Sequence, residues 1–307
     1  MDRWRSTSIP VALVLLGCLL AAGCSNATVD TVTSLSTKFT GSLTTFKGIP
    51  NDLYGTCIRV AAWDYYKVTQ LAPTSIAPEI KPGPAAPAAS EVPPSTFVPS
   101  PPVVADGALG KLCTNIQGGG KEWATANTIV IDYISALNDL AGGGKPQTYG
   151  FKGLATSMKD AWFVHLPSKD TISSDQVVNA GSGLDQALAA AFATERAAAV
   201  RTFATQANDP IRTILTLLYA AAQDYSRFLS VELAEIDAVY ANTVVQTKQN
   251  LPGVDATNWA AMTEQIANND TALHDYVGVL NTISCAQGQL TAATVAAEAV
   301  KKCVTTP

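Results

Sequence analysis

Apolar side chains recur every three or four residues along most of this chain, and that spacing restricts the fold more than any other feature. An α-helix turns once per 3.6 residues, so such a pattern places its apolar members on one face. The longest run of apolar positions extends from Ile211 to Val244, and the helix of about 38 residues that contains it would form a rod of about 57 Å. The most regular heptad repeat extends from Trp259 to Ile283, and Asn269 occupies one of its otherwise apolar positions. Strand-like alternation is not convincing anywhere, so the sequence predicts an all-α fold.

The breaks between these runs are short. Two glycine triplets, at 118–120 and 142–144, bracket one predicted helix, and an alanine-rich helix is predicted over residues 175–206. Asp209 followed by Pro210 is typical of a helix start, with Asp209 as the N-cap. Long helices joined by short breaks favour an elongated up-and-down bundle of antiparallel helices. We call the apolar face of a predicted helix its seam. The seam of the glycine-bracketed helix consists of Trp123, Ala126, Val130, Tyr133, Leu137 and Leu140.

Prolines are concentrated in one segment, because ten of the seventeen lie between residues 73 and 102. Proline lacks an amide donor and fixes φ near −65°, which excludes a helix or a central strand there. We therefore predict a loop or spacer over residues 72–110. It separates N-terminal helices, residues 24–71, from a bundle over residues 111–307 that packs with them. A proline-rich docking site for a partner protein is the alternative.

The first 24 residues have the composition of an export signal. Arg3 and Arg5 precede an uncharged, mostly apolar stretch over residues 9–22, too short to span a bilayer comfortably. Small residues then lead to Cys24. This ending resembles the lipobox of bacterial lipoprotein precursors, in which residues 1–23 would be removed and Cys24 would carry diacylglycerol and usually an N-acyl chain such as palmitate. An ordinary secretory signal, cut near residues 22–25, is the alternative.

The lipobox resemblance implies a protein of the cell envelope that is attached to the membrane through its lipid. Residue 25 is Ser rather than Asp, the residue that retains such lipoproteins in the inner membrane of enteric-type bacteria. In a Gram-negative host, Ser25 therefore implies an outer-membrane protein facing the periplasm. The formal charge of −5 favours neither anionic lipid nor nucleic acid, so attachment would depend on the acyl chains.

Four cysteines remain after Cys18 is removed with the signal and Cys24 is lipidated. An even number in an oxidising compartment predicts two disulfides among them, with three possible pairings. Neighbours in sequence meet most easily, which favours Cys57–Cys113 and Cys285–Cys303. A straight helix over residues 291–302 would span roughly 18 Å. The Cα atoms of a disulfide must lie within about 7 Å of each other. The second bond therefore requires the chain to reverse direction between the two cysteines. Otherwise Cys303 pairs with Cys57 or Cys113.

Residues that could support catalysis are sparse. The two histidines, His165 and His274, do not occur in a metal-binding spacing, and the glycine–lysine stretches fail the phosphate-loop pattern. Acidic residues of the long helix, at positions 232, 235 and 237, are expected on a solvated face. The sequence therefore predicts no enzymatic activity, no cofactor and no metal.

Aromatic residues offer one candidate ligand site. Trp63, Tyr65 and Tyr66 form a cluster that, together with Trp123, could line a pocket for a small ligand. Core packing is the alternative, because Trp and Tyr bring large apolar areas into protein interiors. The leading hypothesis is a non-enzymatic, lipid-anchored bundle with a structural or partner-binding role and an envelope protein as its partner. A small-ligand-binding lipoprotein of the periplasm is the second.

Overall fold

The computed structural model describes most of residues 32–60 and then residues 119–142, 148–158, 172–194, 196–241 and 256–291. These stretches contain helices, turns and short irregular links, and none of them contains a strand. The prediction of an all-α bundle is confirmed for this part of the chain. The proline-rich segment lies outside the described residues, as does every proposed domain boundary between residues 61 and 118.

Six helices in the described stretches have defined bounds. Before them, residues 32–60 form what we call the N-terminal segment, which is helical over most of its described positions and has a turn at Phe46. In the described stretches, no helix has the length and hydropathy needed to cross a membrane. The six helices are α1 (Gly119–Gly142), α2 (Phe151–Ser157), α3 (Ser174–Phe192), α4 (Arg196–Gln206), α5 (Asn208–Val239) and α6 (Ala256–Thr291).

The two longest helices, α5 and α6, pack against each other in opposite directions. The Tyr219 hydroxyl on α5 donates to Asn281 Oδ1 on α6 at 2.6 Å. Further along α5, Asp237 accepts a hydrogen bond at 2.9 Å from the Trp259 indole on α6. Residue numbers rise along one helix as they fall along the other, so the pair is antiparallel.

The N-terminal segment is also antiparallel to α6. The Phe46 ring meets the Tyr276 ring edge-on at 5.5 Å, and Asn269 Nδ2 donates to Asp52 at 2.8 Å. Helix α1 instead runs parallel to α6, since Trp123 bonds to Tyr276 and Tyr133 bonds to Gln287. Taken in chain order, these four long elements alternate in direction, as in an up-and-down bundle. They are the N-terminal segment, α1, α5 and α6.

The apolar seams predicted for α1 and α6 form the core. All six seam residues of α1 are buried, and the Trp123 side chain is fully enclosed. On α6 the heptad positions from Ile266 to Ile283 are buried except for Asn269, which is half-buried among polar partners. One apolar cluster joins both helices to the N-terminal segment and α5. Helical spacing therefore identified the buried faces correctly.

Several predicted helix boundaries were wrong. The alanine-rich run forms two helices, α3 and α4, which are separated at residues 193–195. Ser173 caps α3, because its side chain accepts from Gln176 N while the Gln176 side chain accepts from Ser173 N. The N-cap of α5 is Ala207, and Asp209 lies in its first turn. Helix α2, which follows the second glycine triplet, was not predicted.

Helix α2 packs closely on α3, and the Asp185 side chain of α3 holds the start of α2. Its two carboxylate oxygens accept hydrogen bonds from the backbone amides of Phe151 and Lys152, at 3.1 and 3.0 Å. A carboxylate at this position also complements the positive end of the helix dipole. The residue before the helix, Gly150, has a φ of 62°, a left-handed conformation that glycine adopts readily.

The contact between α2 and α3 depends on the small size of Gly181. A Cβ atom at this position would lie 2.7 Å from the Phe151 carbonyl oxygen and would overlap the Ala155 methyl group. We expect Gly181→Ala to lower the free energy of unfolding by about 1–3 kcal/mol, as overpacking does elsewhere. Urea denaturation followed by circular dichroism measures the change.

Gly153→Ala on α2 is the matched control for this substitution. A Cβ atom at Gly153 would meet no described atom within 4 Å. Because alanine favours the helix over glycine, the control should gain up to about 1 kcal/mol. If Gly181→Ala were as stable as Gly153→Ala, the two helices would not be packed as closely as described.

Candidate functional site

Most of the residues predicted to form sites lie outside the described stretches. The lipidation site, three of the four aromatic ligand-site residues and two of the four cysteines therefore stay predictions. These residues are Cys24, Trp63, Tyr65, Tyr66, Cys113 and Cys303.

Trp123, the fourth aromatic candidate, is a core residue of the bundle. Its indole nitrogen donates to the Tyr276 hydroxyl at 2.9 Å, and that hydroxyl donates to Asn127 Oδ1 at 2.7 Å. The indole also meets the Tyr225 ring edge-on at 6.2 Å. Burial raises the pKa of Tyr276, so its hydroxyl keeps its proton and its role as a donor. The ligand hypothesis therefore depends on Trp63, Tyr65 and Tyr66.

The two described cysteines differ in environment but share one chemical state. Cys57 is fully buried in the N-terminal segment, whereas Cys285 lies on the exposed side of α6. Both are disulfide-bonded. Cys113 and Cys303 lie outside the described residues, so the pairing of the four cysteines stays a prediction.

The most densely connected polar group of the described bundle lies between the N-terminal segment, α5 and α6. We call it the Arg59 network; it comprises Asp52, Thr56, Arg59, Tyr225, Glu232 and Asn269. Arg59 is its centre, because the guanidinium donates to Glu232 on α5 and to Asp52, which lies seven residues earlier on its own segment. Its Nη2 also donates to Thr56 Oγ1 at 2.8 Å.

Asp52 is the second centre of the network. Besides the Arg59 guanidinium at 3.2 Å, it accepts hydrogen bonds from Tyr225 on α5 at 2.5 Å and from Asn269 on α6 at 2.8 Å. The Thr56 hydroxyl donates to it at 3.0 Å. One carboxylate therefore joins three elements of the bundle, and its position in the N-terminal segment is fixed by groups on both long helices.

The electrostatics of the network follow from burial. The Glu232 side chain is 2% exposed, and burial raises its pKa, an effect that Arg59 partly offsets. Burial also opposes the charge on Arg59, but its hydrogen bonds and its attraction to Glu232 and Asp52 leave its pKa raised. Asp52 and burial both raise the pKa of Tyr225, burial being the larger cause. Two carboxylates thus enclose one cation at a helix interface.

The prediction of a solvated acidic face on α5 is wrong for two of its three residues. Glu232 and Glu235 are buried, and only Asp237 is exposed. Glu232 tolerates burial because a cation from another element reaches it. A second buried ion pair lies within α5 itself, where Arg227 Nη1 donates to Asp224 Oδ1 at 2.5 Å.

The described histidine shows no catalytic arrangement. His274 is exposed on α6, and its Nδ1 lies 2.8 Å from the carbonyl oxygen and 3.5 Å from the carboxylate of Asp270, one turn earlier. His165 lies outside the described residues. Within the described stretches, no group of three or more His, Cys, Asp or Glu side chains could hold a metal ion.

A small apolar cavity lies at the other end of the N-terminal segment from the Arg59 network. Its volume is about 10 Å³, so it holds at most one water molecule and no organic ligand. The N-terminal segment, α1 and α6 supply its walls, with Val32, Leu35, Phe39, Tyr133, Ile134, Leu137, Ile283, Ala286, Gln287 and Leu290.

Comparisons with known proteins identified no relative of this chain. No protein-family model, curated protein or solved structure matches the chain. The described side chains are arranged to hold helices together, since the charges of the Arg59 network are directed at one another rather than into a cavity. Sequence patterns did not identify this network as a candidate site.

Proposed function

We propose that this protein is a lipid-anchored protein of the cell envelope with a non-enzymatic role, either structural or in binding an envelope protein. The observation that carries the proposal is the sequence ending at Cys24, whose small residues follow a short apolar stretch. Two or more acyl chains on one cysteine would give stable membrane attachment, which a single chain does not. In a Gram-negative host, Ser25 would direct the protein to the periplasmic face of the outer membrane.

If Cys24 is anchored, the end of the bundle at which the described chain begins would be the one nearer the membrane. Val32, the first described residue, packs at the end of the bundle where Leu137 of α1 and Leu290 of α6 line the small cavity. Seven residues separate Cys24 from Val32. Fully extended, they reach about 25 Å, so this end would remain close to the lipid headgroups.

The Arg59 network would then face away from the membrane. Asn269 of the network and Leu290 at the proposed membrane end lie on the same helix, α6. At 1.5 Å per residue, the two are about 32 Å apart along the bundle. In this arrangement the Arg59 network would lie at the end of the bundle farther from the anchor, and the exposed positions of α6 would be open to a partner.

The anchor is tested by replacing Cys24. We expect Cys24→Ser to move the protein from the membrane fraction to the soluble fraction, because no acyl chain can then be attached. Mass spectrometry of the N-terminal peptide should find lipid on Cys24 of the wild type. Cys18→Ser is the matched control: it removes a thiol from the signal itself and should leave the protein in the membrane. An unmodified Cys24 in the wild type, or equal solubility of wild type and Cys24→Ser, would contradict the proposal.

The partner is tested by crosslinking from exposed positions on the two ends of α6. A photoreactive residue at Glu264 lies toward the far end of the bundle, and one at Gly288 lies toward the membrane end; both positions are exposed. A protein partner on the side surface should give a discrete adduct from at least one of them in intact envelopes. Absence of any adduct from both positions would leave a purely structural role as the better description.

A further inference from the structure

The two described cysteines lie far apart along the bundle axis. Asn269 on α6 donates to Asp52, and Cys57 is five positions further along the N-terminal segment. Because this segment is antiparallel to α6, those five positions lead away from Cys285. On α6 itself, Cys285 is sixteen positions after Asn269, which is about 24 Å at 1.5 Å per residue. The two cysteines are therefore about 30 Å apart along the axis.

This distance places Cys57 and Cys285 in two different disulfides. Both are disulfide-bonded, and the Cα atoms of one disulfide lie within about 7 Å of each other. The proposed function removes the signal and commits Cys24 to lipid, and on that basis each of the two bonds to Cys113 or Cys303. One of the three possible pairings is thus excluded, and two remain.

The start of α1 is closer to the level of Cys57 than to that of Cys285. Trp123 donates to Tyr276, and α1 runs parallel to α6, so Gly119 lies about 6 Å from that level toward the Cys57 end. Along the axis, Gly119 is then about 12 Å from Cys57 and about 20 Å from Cys285.

The length of the chain before α1 favours Cys57 as the partner of Cys113. Cys113 is six positions before Gly119 and stays within about 21 Å of it even when fully extended. Packed helices add a sideways separation of about 8–10 Å. A bond to Cys285 would therefore use nearly the whole reach of these residues, whereas a bond to Cys57 leaves slack.

The chain after α6 favours Cys285 as the partner of Cys303 in the same way. Cys303 is twelve positions after Thr291, the end of α6, and stays within about 43 Å of it. Thr291 is only about 9 Å along the helix from Cys285, but about 40 Å along the axis from Cys57. The crossed pairing would thus require both connecting stretches to be nearly fully extended at once, at a large cost in conformational entropy.

We propose that the protein has one disulfide toward each end of the bundle, Cys57–Cys113 beside the Arg59 network and Cys285–Cys303 at the opposite end. The first bond joins the N-terminal segment directly to the chain before α1 and bypasses residues 58–112. The N-terminal segment, and any lipid on it, would stay covalently joined to the bundle even after that stretch is cut. Each bond forms when two thiols lose two protons and two electrons to a disulfide oxidant of the envelope, which becomes a dithiol.

Tryptic digestion of the full mature protein without reductant, after alkylation of free thiols, tests the pairing by mass spectrometry. The proposal expects peptide 48–59 linked to 112–121, and peptide 249–301 linked to 303–307. The crossed links, or alkylated thiols in these peptides, would overturn it. Lipid on the N-terminal peptide is read separately, so failure of the anchor and failure of the pairing give different results.

A site for a sequence-specific protease, inserted between Pro93 and Pro94, tests the bypass. After cleavage, the two fragments should migrate together in a denaturing gel without reductant and separate with it. Cys113→Ser with the same insertion should release the fragments without reductant, whereas Cys303→Ser, the matched control, should keep them joined. Separation in the parent without reductant, or release by Cys303→Ser in place of Cys113→Ser, would overturn the proposal.

Discussion

Trp123→Ala is expected to lower the free energy of unfolding by about 3–5 kcal/mol, the usual cost of truncating a large buried aromatic side chain. The indole is fully enclosed at the centre of the bundle, where it contacts the rings of Tyr225 and Tyr276. Its removal also leaves the Tyr276 hydroxyl without its donor. Urea denaturation of the two proteins, followed by circular dichroism, measures the loss.

Two variants separate the contributions of Trp123. Trp123→Phe keeps most of the apolar area and loses the hydrogen bond, so it should cost less than the alanine variant, about 1–3 kcal/mol. Trp259→Ala is the matched control, because Trp259 is only partly buried and bonds to the exposed Asp237. It should cost clearly less than Trp123→Ala. Equal losses at positions 123 and 259 would show that the indole of Trp123 does not occupy the described core.

Arg59→Met is expected to cost about 2–4 kcal/mol at pH 8, somewhat below the full cost of breaking a completely buried pair, because the Arg59 side chain is 34% exposed. The variant leaves Glu232 buried and without its cation. A raised pKa means that the folded state binds the proton more tightly than the unfolded state. The contribution of such a group is present at low pH and is lost as the pH rises through the folded-state pKa. The cost should therefore be smaller at pH 5 than at pH 8.

The companion of this prediction is the double variant Arg59→Met with Glu232→Leu. Replacing both members of a buried ion pair by apolar groups is often neutral, whereas removing one member is costly. The double variant should therefore recover most of the stability lost by Arg59→Met and should lose the added pH dependence. Denaturation at both pH values measures this. A double variant no more stable than Arg59→Met would mean that Glu232 is not the source of the loss.

The buried faces of α1 and α6 were predictable because their seams alternate three- and four-residue steps without interruption. The same rule applied strictly to α5 continues the seam as Leu218, Ala222, Tyr225, Leu229, Glu232 and Ile236. It places Glu232 at a core position, although an acidic side chain was expected on a solvated face. The cation that makes this burial tolerable is Arg59, 173 residues away. No local pattern contains that partner.

The helix boundaries that sequence missed have a different cause. Alanines are frequent on both sides of Phe192 and favour a helix there, so propensity gave no reason to end one at this residue. The structure instead places α3 against α2 at Gly181 and against Pro210 of α5 at Gly183, contacts between elements that no local pattern contains. Similarly, Asp209 has the chemistry of an N-cap, but the helix already begins at Asn208.

The place of the N-terminal segment in the core has a consequence for how the protein folds. The N-terminal segment packs against the last described helix, and Asp52 and Asn269 are 217 residues apart. Contacts of such long range require a large loop to close before they repay its entropy, which makes folding slow. The chain therefore cannot complete its core until α6 has been synthesised, and a chain truncated before residue 256 would leave Phe46 and Asp52 without their α6 partners.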